Sequence, residues 1–89
     1  MASYKVTFKP SVEKDLAHLS KELILRITKR IELLKAHPFP RQALKLEGSE
    51  GLYRLRDGDY RIIYGVDSRV GQVVIHHIRH RREVYRGLG

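Results

Sequence analysis

Cysteine is absent from the 89 residues, which excludes disulfide staples, a thiol nucleophile and a cysteine-ligated zinc. No apolar run approaches the roughly eighteen residues that a membrane helix needs, and residues 1–20 contain no signal-peptide core. A soluble, cytoplasmic protein is therefore expected. Repeats, low-complexity stretches and linkers are missing as well. The chain reads as one domain, residues 1–89, near the lower size limit for folding on a single core.

The most informative absence is that of lysine beyond Lys45. All seven lysines lie at or before that position, whereas eight arginines follow it. A guanidinium binds phosphate with a planar two-point fork, keeps its proton at any accessible pH and stacks on nucleobases. Arg54, Arg56, Arg61, Arg79 and Arg81 lie among strand-forming residues, so geometry as well as charge is implied. The formal net charge of +8 favours a polyanionic partner, although charge alone does not choose among nucleic acid, an anionic membrane and an acidic protein.

Apolar periodicity supplies the expected elements. Tyr4, Val6 and Phe8 alternate with polar residues as in a half-buried strand, which Pro10 ends. Ser11 is the expected N-cap of a short helix carrying Val12, Leu16 and Leu19, and Ser20 the cap of a longer one. In that second helix Leu23, Ile24, Ile27, Ile31 and Leu34 share one face, opposite Lys21, Arg26, Lys29, Arg30 and Lys35. Residues 37–40, His-Pro-Phe-Pro, stop it.

Three strands are expected over Leu52 to Arg56, Tyr60 to Val66 and Val73 to Arg79, joined by turns at 57–59 and 67–71. The predicted fold is α+β, with two N-terminal helices packed on one face of a mainly antiparallel four-stranded sheet. Its order is β-α-α-β-β-β, closed by a short C-terminal helix or turn.

Strand alternation places Arg54 and Arg56 on one face and Tyr53 and Leu55 on the other, and lets Arg61 join the two arginines in a basic concavity. In the last strand neither alternating set is purely polar, so periodicity does not orient it. His76 and His77 are adjacent and should point to opposite faces, which argues against shared chelation of a metal. Asp57 and Asp59 flank Gly58 and read as turn formers.

Several guanidiniums beside a tyrosine and a histidine have the parts for RNA cleavage by internal attack. A 2′-hydroxyl attacks its own 3′-phosphate, and the protein must align the two, stabilise the phosphorane oxygens and move protons at both ends. This chemistry demands no metal or other cofactor.

Three segments, Lys45-Leu46-Glu47-Gly48, the run from Leu52 to Tyr64 and the run from Ile78 to Tyr85, together resemble the RelE/ParE superfamily of type II toxin–antitoxin toxins. The resemblance spans essentially the whole chain. It implies a RelE-like fold and a ribosome-dependent messenger-RNA endoribonuclease that leaves a 2′,3′-cyclic phosphate. Carried over by position, Arg61 grips the scissile phosphate, Arg81 stabilises or protonates the leaving 5′-oxygen, and Tyr85 stacks on a base and helps activate the 2′-hydroxyl. Arg54, Arg56, Lys45, Arg79 and His80 complete the expected substrate-binding set. Arg54 and Arg56 stand where well-studied members have lysines, and arginine is a poor base, so the base is open between Tyr85 and His80.

ParE-like members share the fold but inhibit DNA gyrase and generally lack the terminal arginine and tyrosine. A gyrase inhibitor and a non-catalytic nucleic-acid-binding module are therefore the alternatives. The expected partners are the ribosome, messenger RNA and a cognate acidic, RelB-like antitoxin, in assemblies up to a heterotetramer. The antitoxin's acidic segment should lie on the helical hairpin or a sheet edge and displace the element carrying Tyr85.

Overall fold

The computed structural model describes residues 3–49 and 51–82. Its elements, in chain order, are β1 (Lys5–Phe8), α1 (Pro10–Leu16), α2 (Lys21–Leu33), β2 (Leu44–Lys45), β3 (Leu52–Asp57), β4 (Tyr60–Asp67) and β5 (Gln72–His80). The strands form one sheet of order β1-β5-β4-β3-β2, in which only the β1–β5 pair is parallel. No helix among the described residues is long and apolar enough to cross a membrane.

The expected four-stranded sheet thus has a fifth strand, β2. Leu44 pairs with Arg54 and Lys45 with Tyr53, and Leu46 N–H donates to Leu52 O at 2.9 Å. Two residues carry no readable periodicity, because alternation needs a longer run to show.

Helix α2 starts as its sequence requires: the Ser20 hydroxyl accepts the Leu23 N–H at 3.2 Å. Ile27, Ile31 and Leu34 are buried against Leu55, Ile62, Tyr64 and Ile75 on one face of the sheet. Helix α1 starts two residues before the expected position. Lys9 is the N-cap and Pro10 opens the helix, where its missing N–H costs nothing.

That shift frees Ser11 for another task. Beyond Ile75, β5 no longer has β1 beside it, and α1 lies along the bare edge instead. Ser11 Oγ donates to His76 O at 2.6 Å and Asp15 Oδ2 accepts the Ile78 N–H at 2.9 Å, so the helix satisfies edge groups that a strand would otherwise pair.

Tyr64 ties the loop after α2 to the core. Its ring is fully buried and its hydroxyl donates to Pro38 O at 2.9 Å. Burial, and secondarily the neighbouring Tyr53, push its pKa up to about 12.

One irregularity decides which β5 side chains reach which face. Ile63 pairs with His77 but Tyr64 pairs with Ile75, leaving His76 as an extra residue in a β-bulge. Before the bulge the core takes Val73 and Ile75; after it, Ile78. The alternation changes phase at His76, which is why neither alternating set of the sequence is purely polar.

Candidate functional site

Opposite the helices, β3, β4 and β5 present a row of guanidiniums. Arg56 is directly across from Arg61, and Arg61 from Arg79. Arg54 belongs to the same face of β3, one pleat along, where Ile63 is its partner. Arg54, Arg56 and Arg61 line a cavity of ≈ 480 Å³ together with Arg30, Gln42, Leu44, Asp57 and Gly58.

The hairpin between β3 and β4 sets the aim of two of these arginines. Gly58 has φ +62 and is followed by Asp59, with Asp57 paired to Tyr60, a two-residue loop that suits glycine in its first position. The Gly58 carbonyl then accepts from Arg56 Nε at 3.2 Å and from Arg61 Nη1 at 3.3 Å, while Arg61 Nη1 also donates to Tyr60 O at 3.2 Å. One backbone oxygen therefore draws two like charges together. An anion bridging the two guanidiniums relieves their mutual repulsion.

Arg79 is fixed from the α1 side: its Nε lies 3.8 Å from Asp15 Oδ1. Arg81 follows the end of β5, its N–H donating to Asp59 O at 2.7 Å and its Nε 4.0 Å from Asp59 Oδ1. Its half-exposed guanidinium is only loosely held by a contact of that length.

The fold has counterparts among known proteins. A family model described as the ParE toxin of a type II toxin–antitoxin system, parDE, matches residues 6–85. A candidate toxin designated RelE1, from Methanocaldococcus jannaschii, is 32% identical over 88 residues, covering 93% of this chain and 96% of the relative. The chain belongs to the RelE/ParE toxin superfamily. The toxin is also similar to RelE in the RelE–RelB complex of Pyrococcus horikoshii, at 34% identity and a TM-score of 0.77 over 89% of this chain and 96% of that one. Similarity extends to the RelBE2 toxin–antitoxin complex of Mycobacterium tuberculosis, at 27% identity and a TM-score of 0.79 over 89% of this chain and 99% of that one.

Of the residues singled out in the toxin's sequence, the structure brings Arg54, Arg56 and Arg61 into one cavity, with Arg79 next in the row and Arg81 at the strand end. Two others are placed elsewhere. Lys45 pairs with Tyr53 and so shares the face away from the arginines, while its neighbour Leu44 lines the cavity. His80 pairs with Tyr60, its ring 5.5 Å from the Tyr60 ring, edge on, and its Nδ1 accepts the Arg82 N–H at 3.3 Å. It lines a separate cavity of ≈ 250 Å³ with Asp15, His18 and Leu19. Tyr85 lies outside the described residues.

The bulge also corrects the reading of the histidine pair. His77 is on the arginine face by register, and His76 Nε2 comes within 3.6 Å of where a side chain on Gly65 would begin, on that same face. Among the described residues no group of three or more His, Cys, Asp or Glu could hold a metal ion.

Both imidazoles are held below their ordinary pKa. Burial is the main cause for each; Lys9 and His77 add to it for His76, and Arg79 for His77, where Asp15 pulls the other way. The folded toxin thus prefers both rings neutral and the unfolded chain binds their protons first. Stability should be full above about pH 6.5 and should fall as pH drops through the lower folded-state values. Melting temperatures measured between about pH 7.5 and 5 should decline, and His76→Gln/His77→Gln should flatten that decline. A midpoint that rises on acidification would contradict the assignment.

Two functional candidates carry no signal in the sequence. Asp15 stands outside every motif of the sequence, and Arg30 belongs there to the charged face of the second helix. Only the packing of α1 on the β5 edge and of α2 over β3 reveals them.

Proposed function

We propose that this toxin is a ribosome-dependent messenger-RNA endoribonuclease that blocks translation. The observation carrying the proposal is the convergence of Arg54, Arg56 and Arg61 in one open cavity, with two guanidiniums oriented by a single carbonyl. Forked cations gathered there suit the dianionic phosphorane formed when a 2′-hydroxyl attacks the adjacent phosphate. Arg61, central in the row, contacts the non-bridging oxygens. Arg81, beyond the strand end, meets the charge that develops on the leaving 5′-oxygen. Tyr85 carries the base-stacking and proton-transfer assignment, because His80 faces away from the arginine row.

The ribosome supplies what so small a protein lacks, a scaffold that holds the messenger in line for attack. A cognate antitoxin is the second partner, as RelB is for RelE in the Pyrococcus horikoshii complex. An acidic antitoxin segment would neutralise the arginine cavity and thereby stop cleavage.

The test is cleavage of a messenger programmed on purified ribosomes. Expected are cuts within the decoding site that end in 2′,3′-cyclic phosphate, and little cutting of the same RNA free in solution. The competing gyrase reading rests on the description of the matching family model. Cleaved plasmid accumulating with gyrase, alongside intact messenger on translating ribosomes, would establish that reading instead.

A further inference from the structure

Helix α2 crosses over β3, and one of its charged side chains, Arg30, is only partly exposed. Strand β2 pairs only with Tyr53 and Arg54, so among the described residues no strand lies beside the β3 edge from Leu55 to Asp57. Arg30 reaches across that edge. Its Nη2 is 3.5 Å from Arg56 O, a long contact, and its Nε is buried without any hydrogen-bond partner. The side chain lines the same ≈ 480 Å³ cavity as Arg54, Arg56 and Arg61.

A charged donor buried without an acceptor is unfavourable, and a fourth positive charge added to three others is more so. Both costs are relieved by one event, the arrival of an anion. The nearby carboxylate does not provide it: Asp57 Oδ1 is 3.4 Å from Arg26 Nε, and its Oδ2 is buried without a partner. Arg54, Arg56 and Arg61 approach from the sheet face, whereas Arg30 approaches from the helical layer behind the β2–β3 edge. A single-stranded polyanion lying on the arginine row and leaving over that edge would meet Arg30 as well as Arg61, since both line the one cavity.

We propose that Arg30 is a phosphate-binding residue that holds the RNA phosphodiester flanking the scissile one, so that α2 forms part of the substrate path. The inference rests on the RNA-cleaving reading above. The cavity is continuous with the sheet face on which the cut is placed, which favours an RNA backbone over an acidic peptide.

The test measures binding of a short single-stranded RNA carrying a 2′-deoxyribose at the cut position, without ribosomes, over a range of salt concentrations. Arg30→Gln should weaken binding about tenfold at low salt and reduce the slope of log affinity against log salt by about 0.7, the value for one phosphate contact on a single strand. Arg30→Lys should restore most of the slope, because it keeps the charge. Melting temperature should not fall in either. On ribosomes, Arg30→Gln should raise KM with little change in kcat.

Three results overturn the proposal. One is an unchanged salt slope in Arg30→Gln. Another is equal loss of melting temperature in Arg30→Gln and Asp57→Asn with RNA binding intact, which makes Arg30 a structural partner of Asp57. The third is weakened binding of an oligoglutamate peptide but not of RNA, which makes the site one for an acidic protein. Wild-type toxin that binds the RNA with Arg30 dependence but leaves ribosome-bound messenger intact would overturn the cleavage reading alone.

Discussion

Replacing Arg61 or Arg81 by alanine is expected to lower single-turnover cleavage of ribosome-bound messenger by about a hundredfold or more each, the usual cost of one electrostatic contact to a developing charge. The two losses should differ in kind. Arg61 is anchored by two carbonyls in the middle of the guanidinium row, so on the proposed reading it contacts the phosphate before and during attack, and Arg61→Ala should also disturb substrate positioning. Among the described residues the Arg81 guanidinium is held by a 4.0 Å contact to Asp59 and is half exposed, which on the proposed reading leaves it able to follow charge onto the leaving oxygen. Arg81→Ala should therefore leave ribosome binding nearly intact while cleavage collapses. Rapid-quench cleavage and a separate ribosome-pelleting assay distinguish the two effects. Full cleavage and full toxicity in both variants would sink the site assignment while leaving the fold untouched.

Why most of this fold is legible in the sequence, and part of the site is not, follows from the range of the interactions involved. Alternation in β3 and β4 is local, so the residue pattern alone puts Arg54, Arg56 and Arg61 on a shared face. The apolar stripe of α2 announces Ile27, Ile31 and Leu34 in the same way. The last strand, His80 included, is left unoriented by that pattern because one extra residue at His76 reverses the phase of everything after it, and nothing in a run of histidines and β-branched residues marks the bulge. Lys45 is misplaced because a two-residue strand fixes its faces through its partner alone. Arg30 and Asp15 are long-range cases. Each gains its role from an element distant in sequence: Arg30 from the open β3 edge, and Asp15 from Ile78 and Arg79 on β5.

Ile62→Ala is expected to destabilise the toxin by about 2–5 kcal/mol, the range for removing a fully buried aliphatic side chain and leaving a partial cavity. Ile62 is 0% exposed and sits between Leu55 on β3 and Ile78 on β5, in the layer that meets Ile27 and Ile31 of α2. Its loss therefore loosens three strands and the helix at once. A domain of 89 residues has little reserve, since net stabilities lie near 5–15 kcal/mol and small cores fall toward the lower end. The neighbouring Ile63 makes an informative comparison. It is also 0% exposed, but it points to the arginine face between Arg54 and His77 and stands outside the main core cluster. Ile63→Ala should cost less stability and should impair cleavage in protein that remains folded, because Arg54 loses the apolar floor beside it. Urea unfolding of both variants should show a lowered midpoint with an unchanged slope, and a larger shift for Ile62→Ala. A shift below about 1 kcal/mol for Ile62→Ala, or a larger one for Ile63→Ala, would mean that the core lies on the other side of the sheet.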